Sequence, residues 1–125
     1  MSATTANPVP FYLDLDSAIT QVGDLPSALG ILVMVEETLR HDIPQISAYL
    51  ADDNVQDAGR LLHSLKGFLP IFCRPALCER VTRLEALSKL GHSAEVRPAF
   101  DTLEPELVQL QREISDCLKQ QNSPT

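Results

Sequence analysis

Residues 55–72 read VQDAGRLLHSLKGFLPIF, and the spacing of apolar residues in this stretch decides the fold class. An α-helix turns by about 100° per residue, so side chains three and four positions apart share a face. With Leu65 at 0°, the apolar side chains fall within about 60° of it. These residues are Ala58, Leu61, Leu62, Phe68, Leu69 and Phe72. The pattern predicts a helix from about Val55 to Phe72 with one buried face.

Apolar residues recur at helical spacing on both sides of this stretch, and no alternating run predicts a strand. The other predicted helices span about 14–22, 25–50, 75–90 and 93–119. Gly23, the turn Asp52-Asp53-Asn54 and Gly91 separate them. Long amphipathic helices joined by short loops are typical of an antiparallel up-down four-helix bundle. We therefore predict an all-α fold of this kind, with the short first helix capping one end.

Three prolines lie inside the predicted helices. Pro44 predicts a kink or a locally lost hydrogen bond in the second helix. Pro98 and Pro105 leave two alternatives for the last helix. It is either continuous or broken near Glu104, with Pro105 then standing in a new first turn.

The composition fits a single domain, since the chain has 125 residues, 44% of them hydrophobic and 22% charged. We predict a domain over residues 11–120, a flexible arm over 1–10 and a flexible tail over 121–125. The net charge is −7 and the cations are scattered, which argues against nucleic-acid binding because phosphate backbones would be repelled.

The sequence also bears on targeting and on the state of the cysteines. The N-terminus lacks a secretory signal, and the longest apolar run, 31–35, is far shorter than the ~20 residues of a membrane span. We expect a cytoplasmic, monomeric protein without membrane contact, and Met1 with its short arm favours a free-standing one. Cys73, Cys78 and Cys117 match neither a zinc site nor a disulfide framework. They are interpreted as reduced thiols that fill the core, and no metal site is predicted.

His63 is the candidate functional residue, because it falls at about 160° from Leu65 and so points to solvent in mid-helix. Gly59 and Gly67 lie one turn before and after it, although glycine costs about 1 kcal/mol inside a helix. We interpret the two glycines as leaving room for another molecule. Arg60 and Lys66 flank the imidazole and supply positive charge for an anion. The alternative is an ordinary solvated histidine, with the cations paired to neighbours such as Asp57.

The segment His63-Ser64-Leu65-Lys66-Gly67, preceded by Gly59-Arg60-Leu61-Leu62, resembles the signature of histidine-containing phosphotransfer (HPt) domains. The similarity extends over most of residues 12–118. It includes Asp42-Ile43-Pro44 and a Leu84-Glu85 pair on the third long helix of the bundle.

This resemblance implies that His63 accepts and donates a phosphoryl group, that Lys66 stabilises its charge, and that Gly67 leaves space for a docking receiver domain. Helix geometry adds Gly59, Arg60 and Pro70 to the expected docking surface. The implied partners are a response-regulator receiver domain and a hybrid sensor histidine kinase. Mg²⁺ would belong to the receiver, and the domain itself would need no cofactor. No nucleotide-binding loop occurs, so we expect a phosphocarrier without autokinase activity and not an enzyme.

Two other functions stay open at this stage. Phe68 and Pro70 depart from the family pattern and favour a degenerate bundle that acts as a non-phosphorylated adaptor. A hydrolytic or metal enzyme would have to use His41 or His92, which lack converging ligands and are interpreted as solvated surface residues.

Overall fold

The computed structural model describes residues 11–122, which form five α-helices, one 3₁₀ turn and no strand. The helices are α1 (Leu15–Val22), α2 (Leu25–Ala51), α3 (Val55–Phe68), α4 (Pro75–Lys89) and α5 (Ser93–Asn122), and the 3₁₀ turn is Leu69–Ile71. The all-α prediction is confirmed. The predicted arm 1–10 and residues 123–125 of the predicted tail lie outside the described residues, whereas residues 121 and 122 continue α5.

The long helices contact one another in a closed ring, with α2 on α3, α3 on α4, α4 on α5 and α5 on α2. The short α1 packs against α2 and the 3₁₀ turn. Side chains from all five helices meet in one apolar core. Its largest fully buried members include Phe72, Phe100, Leu32, Leu62, Leu77 and Leu107. The protein is therefore a helical bundle held together by apolar burial.

Capping side chains stand at the starts of three helices. Asp14 and Asp24 accept hydrogen bonds from the amides of Ser17 and Ser27 at the starts of α1 and α2. At α3 the side chain of Asn54 accepts from the amide of Asp57. The predicted turn after α2 is thus also the cap of the next helix.

The predicted third helix is too long, because α3 ends at Phe68 and not at Phe72. Pro70 has no amide hydrogen for the carbonyl of Lys66, and its ring would clash with that carbonyl in a continuing α-helix. The chain tightens instead into the 3₁₀ turn, in which the amides of Phe72 and Cys73 both donate to the carbonyl of Leu69.

The other internal prolines do not end their helices. Pro44 lies within α2, and Pro98 and Pro105 lie within α5, so the break near Glu104 does not occur. All three prolines are on the exposed side of their helices. A backbone carbonyl that loses its amide partner on this side can bond to water. Each proline therefore removes one helical hydrogen bond and does not disturb the packing of the core.

Residues 11–14, here called the N-terminal segment, are fastened to α5 and to the chain after the 3₁₀ turn. The buried carboxylate of Glu113 accepts hydrogen bonds from the amides of Phe11, Tyr12 and Leu13 at 2.8–3.0 Å. The amide of Asp14 donates to the carbonyl of Phe72, and that of Arg74 donates to the carbonyl of Tyr12. These bonds close the end of the bundle where α4 begins.

Among residues 11–122, no single helix has the length and hydropathy needed to cross a membrane, although α1 and α2, bent by 115°, satisfy that test as a pair.

Candidate functional site

His63 lies near the middle of α3, and 67% of its side chain is exposed. Its neighbours Leu62 and Leu65 are fully buried against the core. The prediction that His63 points away from the bundle is confirmed. An imidazole in this position can react with a group presented from outside.

A buried carboxylate on α4 stands beneath this histidine. Glu85 is 3% exposed, and its Oε2 atom is 3.6 Å from His63 Nδ1, a polar contact just beyond hydrogen-bond distance. Its Oε1 accepts a hydrogen bond from Lys66 Nζ at 3.0 Å, and Lys89 Nζ lies 3.2 Å from its Oε2. Glu85 therefore joins the histidine and two lysines into one cluster.

The charges of this cluster explain how the carboxylate stays ionised while buried. Burial alone raises the pKa of Glu85, but the hydrogen bonds and charges of Lys66 and Lys89 outweigh it and hold the pKa below its usual value. Two lysines around one carboxylate leave an excess positive charge beside His63. A chain of net charge −7 thus presents a local site for an anion.

Sequence reasoning gave Glu85 and Lys89 no role. The family resemblance includes Glu85 only as part of the Leu84-Glu85 pair. The available signal was an acidic residue inside the buried stripe of α4, between Val81 and Ser88, since a buried carboxylate requires a partner. Lys89 follows Glu85 by one helical turn, the spacing of an ion pair.

The two glycines that flank His63 have different surroundings in the structure. A Cβ atom on Gly59 would lie 2.7 Å from Ser88 Oγ and 3.3 Å from Ser88 Cβ, so this glycine lets α3 approach α4 closely. A Cβ atom on Gly67 would have nothing within 4 Å. The expectation of open space for a partner is therefore wrong at Gly59 and confirmed at Gly67.

The remaining predicted docking residues lie on the surface. Arg60 is exposed and pairs with Asp57 at 3.1 Å, which is the ion pair named as its alternative role. Pro70 is exposed in the 3₁₀ turn. Phe68, by contrast, packs on the core and stacks with Phe72, their ring centroids 6.1 Å apart. Its bulk therefore does not obstruct the surface around His63.

The other two histidines are separate from this cluster. His41 is exposed on α2 and lies 2.9 Å from the carboxylate of its neighbour Asp42. His92 precedes α5 and lies 3.4 Å from Glu95. Within residues 11–122 no group of three or more His, Cys, Asp or Glu side chains is arranged to hold a metal ion.

The sequence model of the Hpt domain matches residues 30–120 of the chain. The chain belongs to the Hpt domain family. No curated protein and no solved structure is similar enough to count as a match. The matched residues include α3 and α4 in full, so His63, Lys66, Glu85 and Lys89 of this Hpt domain all lie inside it. Residues 12–29, to which the resemblance also extended, lie before the match.

Proposed function

We propose that this Hpt domain relays a phosphoryl group between the aspartates of receiver domains, and that His63 carries the group. The observation behind the proposal is the exposed imidazole of His63 next to Glu85, which is itself held by Lys66 and Lys89. Family membership supports a role in phosphotransfer signalling. The excess of positive charge supports an anionic group at the imidazole.

The position of Glu85 favours one ring nitrogen as the nucleophile. Because Nδ1 faces the carboxylate, we assign its proton to that side, which leaves the lone pair of Nε2 directed outward. Nε2 attacks the phosphorus of an aspartyl phosphate on the receiver. A P–N bond forms, the P–O bond to the aspartate breaks, and the aspartate leaves as a carboxylate. Glu85 offsets the positive charge that develops on the imidazole, and the reverse steps pass the group to a second receiver.

Lys66 stabilises the charge of the phosphoryl group in this proposal, and positioning supplies most of the remaining catalysis. The receiver docks over Arg60, Gly67 and Pro70 and brings its own Mg²⁺. The Hpt domain acts as a carrier without autokinase activity, and a hybrid sensor histidine kinase supplies the signal. We place this relay in the cytoplasm. We also propose that the domain is monomeric, with its long helices running up and down and α1 across one end.

Phosphoramidate tests the acceptor directly, because this small donor needs no partner protein. We expect the intact mass to rise by one phosphoryl group that is stable in alkali and lost in acid. His63→Gln should abolish the adduct, whereas His41→Gln and His92→Gln should retain it. Lys66→Ala should slow its formation about tenfold, equivalent to about 1.4 kcal/mol of lost charge stabilisation.

Transfer to a receiver domain tests the relay itself. The phosphorylated protein is mixed with purified receiver domains and Mg²⁺, and the label is followed from histidine to aspartate. A protein that takes no phosphoryl group at His63, or labels all three histidines equally, would refute the proposal and leave the adaptor function.

A folded Gly67→Ala variant should be labelled by phosphoramidate normally but transfer more slowly, since only docking requires the open space at Gly67.

A further inference from the structure

Cys73 and Cys78 lie together at the start of α4, away from the His63 cluster. Cys73 follows the 3₁₀ turn and stands two residues before the helix, while Cys78 is in its first full turn. The Sγ atom of Cys78 donates a hydrogen bond to the carbonyl of Cys73 at 3.6 Å. Both thiols are free. The thiol of Cys78 therefore lies against the backbone of Cys73, and the two cysteine side chains are neighbours.

The two thiols have different surroundings. Cys73 is 5% exposed, whereas Cys78 is half-buried. The side chain of Cys78 raises the pKa of Cys73, and burial adds to the rise. The side chain of Cys73 lowers the pKa of Cys78. Cys78 is therefore the more accessible thiol and the one that ionises more readily, and Cys73 is the buried neighbour beside it.

An open cavity of about 400 Å³ lies at the start of α4. Cys73 and Cys78 line it together with Pro70, Thr82 and Arg83. A cavity of this size admits a small oxidant or alkylating reagent. Cys117, the third cysteine, is buried on α5 and has its pKa raised by that burial. The molecule thus contains one paired, accessible thiol site and one isolated, buried thiol.

We propose that Cys73 and Cys78 form a redox modification site, in which a small peroxide converts the two thiols into a reversible intramolecular disulfide. The Cys78 thiolate attacks one peroxide oxygen, the O–O bond breaks, and the departing oxygen takes a proton. Cys78 becomes a sulfenic acid. The Cys73 sulfur then attacks the Cys78 sulfur, the S–O bond breaks, and hydroxide leaves with the proton of Cys73 as water. In sum, two thiols and one hydrogen peroxide give one disulfide and two waters.

The chain allows a direct test by peptide mass spectrometry. Trypsin does not cut between Arg74 and Pro75, so both cysteines fall in the peptide 67–80, and Cys117 falls in 113–119. The folded protein is treated with hydrogen peroxide, alkylated with iodoacetamide and digested. We expect the 67–80 peptide to lose two hydrogens and take up no label, dithiothreitol to reverse both effects, and Cys117 to stay reduced. Without peroxide, Cys78 should be alkylated about tenfold faster than Cys117.

Single variants establish the order of the steps. In Cys73→Ser, we expect a sulfenic acid on Cys78 that dimedone traps. In Cys78→Ser, where the changed side chain is half-exposed, Cys73 should stay reduced. Circular dichroism checks that each variant is helical. His63→Gln should oxidise like the unmodified protein, so the result does not depend on the phosphorelay. A 67–80 peptide that keeps both thiols after peroxide, or Cys117 oxidised at the same rate, would overturn the proposal.

Discussion

Gly59 and Gly67 are one turn before and after His63, yet a side chain added at each would meet opposite surroundings. We expect Gly59→Ala to destabilise the protein by about 1–2 kcal/mol, because its Cβ would press on the buried side chain of Ser88. Gly67→Ala should stabilise it by about 0.5–1 kcal/mol, since the added methyl meets open space and alanine favours the helix. Urea unfolding of both variants measures the difference.

A second substitution identifies the cause of the Gly59 effect. Ser88→Gly removes both side-chain atoms that the new methyl would touch, so Gly59→Ala should cost less in that background than in the unmodified protein. Equal costs in the two backgrounds would show that the contact between α3 and α4 is not the reason for this glycine. The sequence could not distinguish Gly59 from Gly67, because helical angles place both near His63 without showing which neighbouring helix approaches.

At the scale of elements, Glu113 on α5 anchors the N-terminal segment through three backbone amides. Glu113→Gln replaces one accepting oxygen with an NH2 group that donates and cannot accept, so we expect a loss of about 1–3 kcal/mol. Amide hydrogen exchange over residues 11–13 should accelerate at the same time. Asp116→Asn, an exposed change on the same helix, serves as the control. Unchanged exchange in Glu113→Gln would show that other contacts hold the segment.

Local signals predicted most element boundaries. Gly23, Asn54 and Gly91 stand at helix ends because a left-handed backbone or a capping side chain is needed there. The sequence near a proline did not predict whether the helix ends there. Pro70 ends α3 while Pro98 lies within α5, although the same ring removes the same hydrogen bond. The outcome depends on packing with neighbouring elements, which the residues near each proline do not encode.

The residues of the candidate site also fall into those that the sequence could predict and those that required the fold. His63 and Lys66 could be predicted because they lie within one short helical segment, where 100° per residue gives the face of each side chain. Glu85 and Lys89 come from α4, and only the packing of α4 on α3 brings them to His63. The contact between Cys73 and Cys78 likewise depends on where the 3₁₀ turn ends and α4 begins. Partners within an element could thus be found from the sequence, and partners between elements required the fold.

At the scale of the whole molecule, two buried carboxylates should make stability depend on pH in the acid range. Burial raises the pKa of Glu113, but its backbone hydrogen bonds outweigh this and leave the pKa below 4.5, as the lysines do for Glu85. A folded-state pKa below the unfolded one means that the folded protein binds protons less readily. The stabilising contribution is therefore complete above about pH 4.5 and is lost as the pH falls through the lowered pKa values.

The other carboxylates of this acidic chain complicate a simple acid titration, since their protonation relieves self-repulsion as the net charge of −7 falls. A comparison of variants removes that common effect. The free energy of unfolding of the unmodified protein should exceed that of Glu113→Gln by about 1–3 kcal/mol at pH 7. The gap should narrow below about pH 4.5, because the unfolded chain then takes up a proton at Glu113 more readily than the folded protein does. Urea titrations from pH 7 to about pH 3 measure this, and a gap that stays constant would show that folding does not lower the pKa of Glu113.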